Sequence, residues 1–328
     1  MLKDEVLKKL SEQEVPLSGE EIARAFHVSR AAVHQAIEAL REEGYEIEAA
    51  TRKGYRLLSR PDALTEAEIL PALGTDGQRF SLHVFRTIGS TNDWLKAHFR
   101  ELRDYTAAIS GHQSGGRGRM GRSFLSPEGA GVYLSVLLKP SAPLSEYRCI
   151  TAMTAVAAAD AVERVSGVRP GIKWPNDLVM NGRKIAGILT EMSLEGETGA
   201  LQYVVVGIGI NVHEKAADFP EEIRGIAGSI RSESGKKVRR AELAAALLDA
   251  FGRIFPDLSA HQKSSREKYL RDCLNLGKKV LVLKDGTSLE AEALSVDPDF
   301  GLIVRYADGS EETVRTGEVS VRGLYGYV

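Results

Sequence analysis

Over the first forty residues apolar positions recur every three or four places, and then the pattern changes to alternation. Leu2, Val6, Leu7 and Leu10 make one helical stripe. Ile22, Ala23 and Phe26 make a second, with Ser18 placed to cap it, and Val33, Ile37 and Leu40 make a third that Ser29 opens and Gly44 ends. Tyr45, Ile47 and Ala49 alternate, Arg52, Lys53 and Gly54 turn the chain, and Tyr55 and Leu57 alternate back, which predicts a β-hairpin. Helices joined by a tight connection at His27 and Val28, followed by a hairpin, have the spacing of a winged helix-turn-helix, predicted here over residues 1–60. Such a domain offers Ser29, Arg30, Ala31, His34 and Gln35 on the third helix, with Arg52 and Lys53 at the hairpin tip, as readers of DNA bases and phosphates. The competing reading is a small helical interaction domain.

Beyond a linker at Pro61 the texture is mixed helix and strand as far as residue 275. Residues 81–86 read as a strand that turns at Gly89 into a helix carrying Leu95, Phe99 and Leu102, capped by Ser90 or Thr91. Two hydroxyls and open N–H groups at a helix start can hold a polar ligand, although capping alone explains one of them. Strands at 107–111 and 132–138 flank a glycine- and arginine-rich loop, and 150–165 form a helix with Ile150, Met153, Ala157 and Ala161 inward. Residues 172–178 read as a strand broken by Pro175, and Asn181-Gly182 as a hairpin turn returning strand 184–189. The apolar run 201–206 predicts a buried strand that continues into Gly207 and Gly209, where a flat ligand could lie against the backbone. Leu243, Leu247, Phe251 and Phe255 mark one face of a long helix. From 276 to 328, short strands with turns at Asp285-Gly286 and Asp308-Gly309 predict a β-meander closing into a small barrel, a docking or covering module without catalytic residues.

Charge narrows this picture. With 43 Lys and Arg against 45 Asp and Glu the net charge is −2, so any nucleic-acid contact must come from a local patch. Residues 1–60 carry ten basic and eleven acidic side chains, which makes one copy a weak DNA ligand and favours a homodimer acting on a palindrome. Cys149 and Cys273 lack metal-ligand spacing and read as inert thiols of a reducing compartment, and no metal cluster is expected. No run approaches the roughly 18 apolar residues of a membrane span, so a soluble cytoplasmic protein without a membrane partner is expected.

The densest chemistry lies between Gly111 and Gly131. Gly115, Gly116, Gly118 and Gly121 alternate with Arg117, Arg119 and Arg122, a combination suited to cradling carboxylate or phosphate oxygens on a loop. Gly116, Gly118 and Gly121 spell a dinucleotide fingerprint, but Pro127, Gly129 and a strand follow where that motif requires a helix and then an acidic residue. A kinase glycine loop is excluded because no Val-Ala-Ile-Lys strand follows. No nucleophile–base pair stands out, and His112 reads as structural. What remains is positioning plus positive charge, the pattern of phosphoryl or adenylyl transfer.

The residues Gly116 to Arg122 with Phe124, Ser126-Pro127 and Gly131-Val132-Tyr133-Leu134-Ser135 resemble a signature of biotin protein ligases. Lys173-Trp174-Pro175-Asn176-Asp177, Arg183-Lys184 with Gly187-Ile188-Leu189, and Gly207 to Asn211 are similar to that family's further blocks. With the leading winged helix and trailing barrel, the chain resembles the bifunctional ligase and biotin operon repressor over nearly its whole length. The resemblance implies an α+β multidomain chain: DNA-binding domain 1–60, a class II synthetase-like ligase domain 61–275 and an SH3-like barrel 276–328. It implies ATP and biotin as substrates, Mg²⁺ with the ATP, and transfer from biotinyl-5′-adenylate to a lysine of biotin carboxyl carrier protein, as in acetyl-CoA carboxylase. By motif position, Ser90, Thr91, Asn92, Gln113, Arg117, Gly118, Arg119, Lys184, Gly187 and Gly207 would bind biotin. Gly116, Arg117, Arg119, Arg122, Phe124, Asn176, Lys184 and Asn211 would bind the adenylate. Lys184, Arg119 and Asp177 would be catalytic, Asp177 either as a base for the acceptor lysine or as a group orienting Lys184. Phe124 stands where the family often has Trp, and no second adenine-stacking aromatic is placed between Ile223 and Ser234. The loop is expected to act as a lid that adenylate orders. Competing readings are a ligase with a vestigial amino-terminal domain, a ligand sensor with an inactive core, and a lipoate ligase.

Overall fold

The computed structural model describes residues 2–13, 15–50, 54–140, 143–284, 287–315 and 320–323. The hairpin tip at Arg52 and Lys53 and the turn at Asp285-Gly286 lie outside the described residues. The chain divides into two compact units, Met1–Pro71 and Ala72–Val328.

The first unit contains α1 (Leu2–Ser11), α2 (Gly19–Ala25), α3 (Arg30–Glu42), β1 (Glu46–Ala50), β2 (Gly54–Ser59) and the short α4 (Glu66–Ile69). The three helical stripes meet in one core, where Val6, Leu7, Leu10, Ile22, Val33, Ile37 and Leu40 pack with Tyr45 and Ile47 of the hairpin. Ser18 forms a reciprocal capping box with Glu21, and the Ser29 hydroxyl accepts from the Ala32 N–H; losing one such cap costs about 1 kcal/mol. The Tyr45 hydroxyl donates to Glu68 at 2.7 Å, tying the hairpin to α4.

The second unit is built on a seven-stranded sheet. Its elements are β3 (Ser81–Phe85), α5 (Thr91–His98), β4 (Thr106–Ser110), β5 (Gly131–Leu138), α6 (Ile150–Ser166), β6 (Gly171–Lys173), β7 (Asp177–Met180), β8 (Arg183–Leu194) and β9 (Leu201–Asn211). There follow α7 (Glu221–Arg224), α8 (Ile230–Ser234), α9 (Arg240–Ile254) and α10 (Leu258–Asp272). The strand order is β3-β4-β5-β9-β8-β7-β6, antiparallel except for the parallel β3–β4 pair. α6 and α9 pack on each other and against the sheet, whereas α5 lies over β4, β5 and β9. Leu95 of α5 packs there with Ala108, Leu137 and Val205. Residues 172–178, expected as one strand broken by proline, are two: β6 and β7 pair antiparallel across a turn at Trp174, Pro175 and Asn176. A proline in mid-strand would forfeit a ladder hydrogen bond, so the chain reverses there. α10, unremarked in the sequence, carries few apolar positions and buries only Leu258, Ser265 and Tyr269.

β10 (Lys279–Lys284), β11 (Thr287–Val296), β12 (Leu302–Tyr306), β13 (Glu311–Val314) and β14 (Ser320–Gly323) form an antiparallel sheet in the order β13-β12-β11-β10-β14. Cys149 and Cys273 are buried free thiols, and burial pushes both up to about 11, which fits unreactive sulfur. Among the described residues no helix is long and apolar enough to cross a membrane.

Glu214, just past β9, is 1% exposed. Burial lifts its carboxyl to about 7 against the weaker pull of nearby backbone N–H groups and His213. The folded state therefore holds this proton more tightly than the unfolded chain, and stability falls as pH rises from about 4.5 to 7, by roughly 3 kcal/mol at most. Glu214→Gln should flatten that decline: urea titrations should show the variant gaining on the parent at pH 8 and not at pH 4.5. Parallel stability curves would remove Glu214 as the cause.

Candidate active site

The site follows from sheet register. One row across the sheet reads Ser110, Tyr133, Gly209, Gly187, Asp177 and Lys173, and the row beside it pairs Ser135 with Gly207 and Gly207 with Leu189. Glycine at 187, 207 and 209 leaves a shallow floor on which other groups lie. A Cβ on Gly207 would run into the Asn92 amide, one on Gly209 would sit 2.5 Å from the Phe124 ring, and one on Gly187 would be 3.0 Å from the Lys184 ammonium. The glycines thus admit the protein's own side chains as well as leaving space for a flat ligand.

Above this floor is a cavity of about 640 Å³, within the size range of small-molecule sites. Its walls include Ser90, Thr91, Asn92, Gln113, Arg117, Gly118, Arg119, Arg122, Phe124, Asn176, Asp177, Lys184, Gly187, Gly207 and Asn211, so the candidate ligand residues converge on one space. Gly116 is not on that lining; it packs against the Phe124 carbonyl and the Ser126 hydroxyl, where a side chain has no room. His112 does not line the cavity either.

At the neutral end, Ser90 caps α5 by accepting from the Asp93 N–H. Gln113 Oε1 accepts from the Thr91 N–H at 2.8 Å and from the Thr91 hydroxyl at 3.0 Å, so the first helical N–H is already engaged. Thr91 Oγ1 lies 2.6 Å from Ser135 Oγ, which donates to Asn92 Oδ1 at 2.5 Å.

The cationic end is set by a bulge. β7 and β8 pair Leu178 with Ala186 but Val179 with Lys184, leaving Ile185 as the extra residue. Plain alternation would put Lys184 on the opposite face from Gly187; the bulge re-aims it, and Lys184 Nζ meets Asp177 Oδ1 at 2.7 Å over Gly187. The displaced Lys184 backbone bonds to residues 226 and 228 instead, with its N–H on Ile226 O at 2.7 Å. Arg119 Nη1 donates to Asn176 Oδ1 at 3.4 Å; burial lowers the pKa of its guanidinium, offset in part by Asp177. Arg117 pairs with Asp93 at 3.1 Å.

The loop is a folded hairpin. Phe124 N–H donates to Gly116 O at 2.9 Å and Gly118 N–H to Arg122 O at 2.7 Å, and a single 3₁₀ turn, Arg119–Gly121, forms its tip. Met120 and Gly121 have φ of 57° and 72°, and a left-handed glycine makes that tip cheap. At the amino-terminal unit Ser29, Arg30, Ala31, His34 and Gln35 are all exposed, though the Ser29 oxygen is engaged as a cap and His34 leans on Tyr55 at 3.4 Å.

This geometry has counterparts among known proteins. The model of the biotin/lipoate A/B protein ligase family matches residues 84–211, and that of an HTH domain matches residues 3–56. The bifunctional ligase/repressor BirA of Bacillus subtilis is 36% identical over 300 residues, 89% of this chain and 90% of the relative. The chain belongs to the biotin protein ligase family. The Escherichia coli ligase/repressor is 33% identical over 70% of each chain. A solved Aquifex aeolicus biotin protein ligase, in complex with biotin and ATP, superposes with a TM-score of 0.62 at 28% identity, covering 74% of this chain and 99% of that one.

The ligase also brings in residues that sequence reasoning left out. Ser135 carries no local signal beyond its place in the Gly131–Ser135 run, and its hydroxyl is the link between Thr91 and Asn92. Phe219, Ile223 and Ile226 add an apolar wall from a segment whose only signal was scattered apolar residues between helices too short to show a period. Gly209→Ala should lift Phe124 off the sheet and loosen the hairpin it anchors. Trypsin should then cut the folded variant after Arg117, Arg119 or Arg122 faster than the parent; equal rates would mean that Phe124 does not hold the loop.

Proposed function

We infer that this chain is a biotin ligase that activates biotin with ATP, transfers it to a carrier-protein lysine, and represses transcription in response to biotin. The observation that carries the reading is a single cavity with a hydroxyl and amide cluster at Ser90, Thr91 and Gln113 beside a cationic cluster at Arg117, Arg119 and Lys184. A neutral polar head and an anionic tail joined to a nucleotide match that division.

In the first step a biotin carboxylate oxygen attacks the α-phosphorus of ATP and the bond to pyrophosphate breaks. In the second the acceptor lysine nitrogen, having lost a proton, attacks the acyl carbon of biotinyl-5′-adenylate and AMP leaves. Lys184 and Arg119 would neutralise the charge that gathers on the phosphate oxygens, and each such preorganised contact is commonly worth about a hundredfold to a thousandfold in rate. Asp177, joined to Lys184 at 2.7 Å, holds that ammonium over the floor, which favours an orienting role over that of a base. Ser90, Thr91, Asn92, Gln113 and Gly207 would surround the biotin ring, with Gly118 and Gly187 flanking its carboxylate end. Phe124 with Arg122, Asn176 and Asn211 would hold the adenylate, with Phe219 and Ile223 closing the apolar side.

Mg²⁺ would come with the ATP. The buried Asn211 Oδ1 has no hydrogen-bond partner among the described residues and lines the same cavity as Asp177, so these two would offer oxygen donors to a hard cation arriving with the phosphates. The three-domain division at residues 60 and 275 remains our functional partition of a cytoplasmic protein, with α3 addressing operator DNA and two copies acting together.

Mass spectrometry of a carrier domain incubated with the chain, ATP and either biotin or lipoate should show addition of biotin alone. Lipoyl addition, or none, would overturn the ligase assignment. Biotin with ATP should raise affinity for a palindromic operator and extend the footprint symmetrically; unchanged DNA affinity would remove the repressor half.

A further inference from the structure

Two side chains outside the cavity lining, Glu191 and Lys96, stand behind its hydroxyl and amide cluster. Glu191 lies on β8, and its Oε2 accepts from Asn92 Nδ2 at 2.8 Å while its Oε1 accepts from Lys96 Nζ at 2.6 Å. Lys96 is held in turn by Asp93 at 2.9 Å. A carboxylate paired with an ammonium only accepts, and so does the Leu189 carbonyl, which Asn92 Nδ2 meets at the longer distance of 3.4 Å, so Asn92 faces both with its NH₂ and turns Oδ1 the other way. Ser135 meets that oxygen at 2.5 Å and spends its one proton on it. Thr91 Oγ1, 2.6 Å from Ser135 and 3.0 Å from Gln113 Oε1, is then left as the donor in either contact. The protons in this relay therefore run in one direction, and what it leaves for a ligand is lone pairs on Asn92, Ser135, Thr91 and Gln113.

We propose that Glu191 is a positioning residue that fixes the hydrogen-bond polarity of this end of the site, making it a reader of ring N–H donors. The proposal rests on the biotin reading, in which the ureido ring supplies those donors. Lys96 makes the control one-sided. A glutamine at 191 would turn its carbonyl to Lys96 and its NH₂ to Asn92, and at 2.8 Å that contact outweighs the 3.4 Å one to Leu189 O. The Asn92 amide would therefore flip and donate to Ser135, Ser135 would donate to Thr91 and Thr91 to Gln113. Asn92 would then offer the ligand an N–H in place of a lone pair, and Thr91 and Gln113 one lone pair fewer each. Exchanging the two groups, Asn92→Asp with Glu191→Gln, keeps the charge and restores the original sense: the amide now at position 191 would donate to a carboxylate at position 92, whose other oxygen accepts from Ser135.

The test is calorimetric binding of biotin and of the two cyclic carbamate analogues in which one or the other ureido N–H is replaced by oxygen. The parent chain should prefer biotin by about tenfold or more over at least one analogue, the expected effect of a missing donor facing a buried acceptor. Glu191→Gln should erase that preference, and the exchanged pair should recover it to within about threefold. A folded Glu191→Gln variant with the parent's preference overturns the proposal, and so does an exchanged pair that stays indifferent. Where Glu191→Gln alone cannot be purified folded, the exchanged pair decides the matter by the same measure. Failure of the biotin reading looks different, because the parent chain itself would then bind no biotin.

Discussion

The site depends on a patch of sheet that lacks side chains. Gly187, Gly207 and Gly209 fall side by side because β8 and β9 pair in that register, and their bare backbone lets Lys184, Asn92 and Phe124 lie flat over three adjacent positions. Each glycine weakens a strand by roughly 0.5–1 kcal/mol relative to alanine. Long ladders on either side offset this, since β9 pairs along most of its length with β5 and β8. A Cβ at any of the three would reach a functional group before it reached a ligand. The cavity is thus shaped by what the sheet omits and only then by the side chains around it.

Its electrostatics follow from where chain segments are forced to bend. The bulge at Ile185 moves Lys184 to the cavity face, the turn at Trp174 and Pro175 brings Asn176 and Asp177 beside it, and the loop hairpin places Arg119 within reach of Asn176. None of these bends is independent. Trp174 donates its indole N–H to Phe300 O at 2.9 Å and its backbone N–H to Asn275 Oδ1 at 2.8 Å, and the Tyr269 hydroxyl reaches Pro175 O at 3.3 Å. The carboxyl-terminal sheet and α10 therefore brace the turn that carries the carboxylate paired with Lys184, a more direct part in the site than that of a covering module.

The neutral end is organised differently, by hydrogen-bond direction. Thr91, Asn92, Gln113 and Ser135 come from one helix, one loop and one strand, and their shared network keeps a set of small polar groups in a single geometry. Satisfied buried networks of this kind rigidify a site, which suits discrimination among small rings. Asp93, in the same helix turn, pairs with both Arg117 and Lys96 and so couples the neutral end to the loop.

Local pattern determined much of this protein. The helical stripes, the caps at Ser18 and Ser29, the hairpin at Asn181-Gly182, the buried strand into Gly207 and the glycine–arginine loop are all consequences of residues near one another in the chain, and they carried the family resemblance as well. Tertiary structure decided what depends on partners far apart. Alternation cannot reveal a bulge, so the face of Lys184 was hidden until β7 and β8 were paired. Ser135 read as one more strand residue until Thr91 and Asn92 were brought above it. Glu191 and Lys96 had no local signal, because a carboxylate acquires a direction only from the groups it meets. Residue type and spacing set which chemistry was available, and the register of β5, β9, β8 and β7 decided where it was assembled.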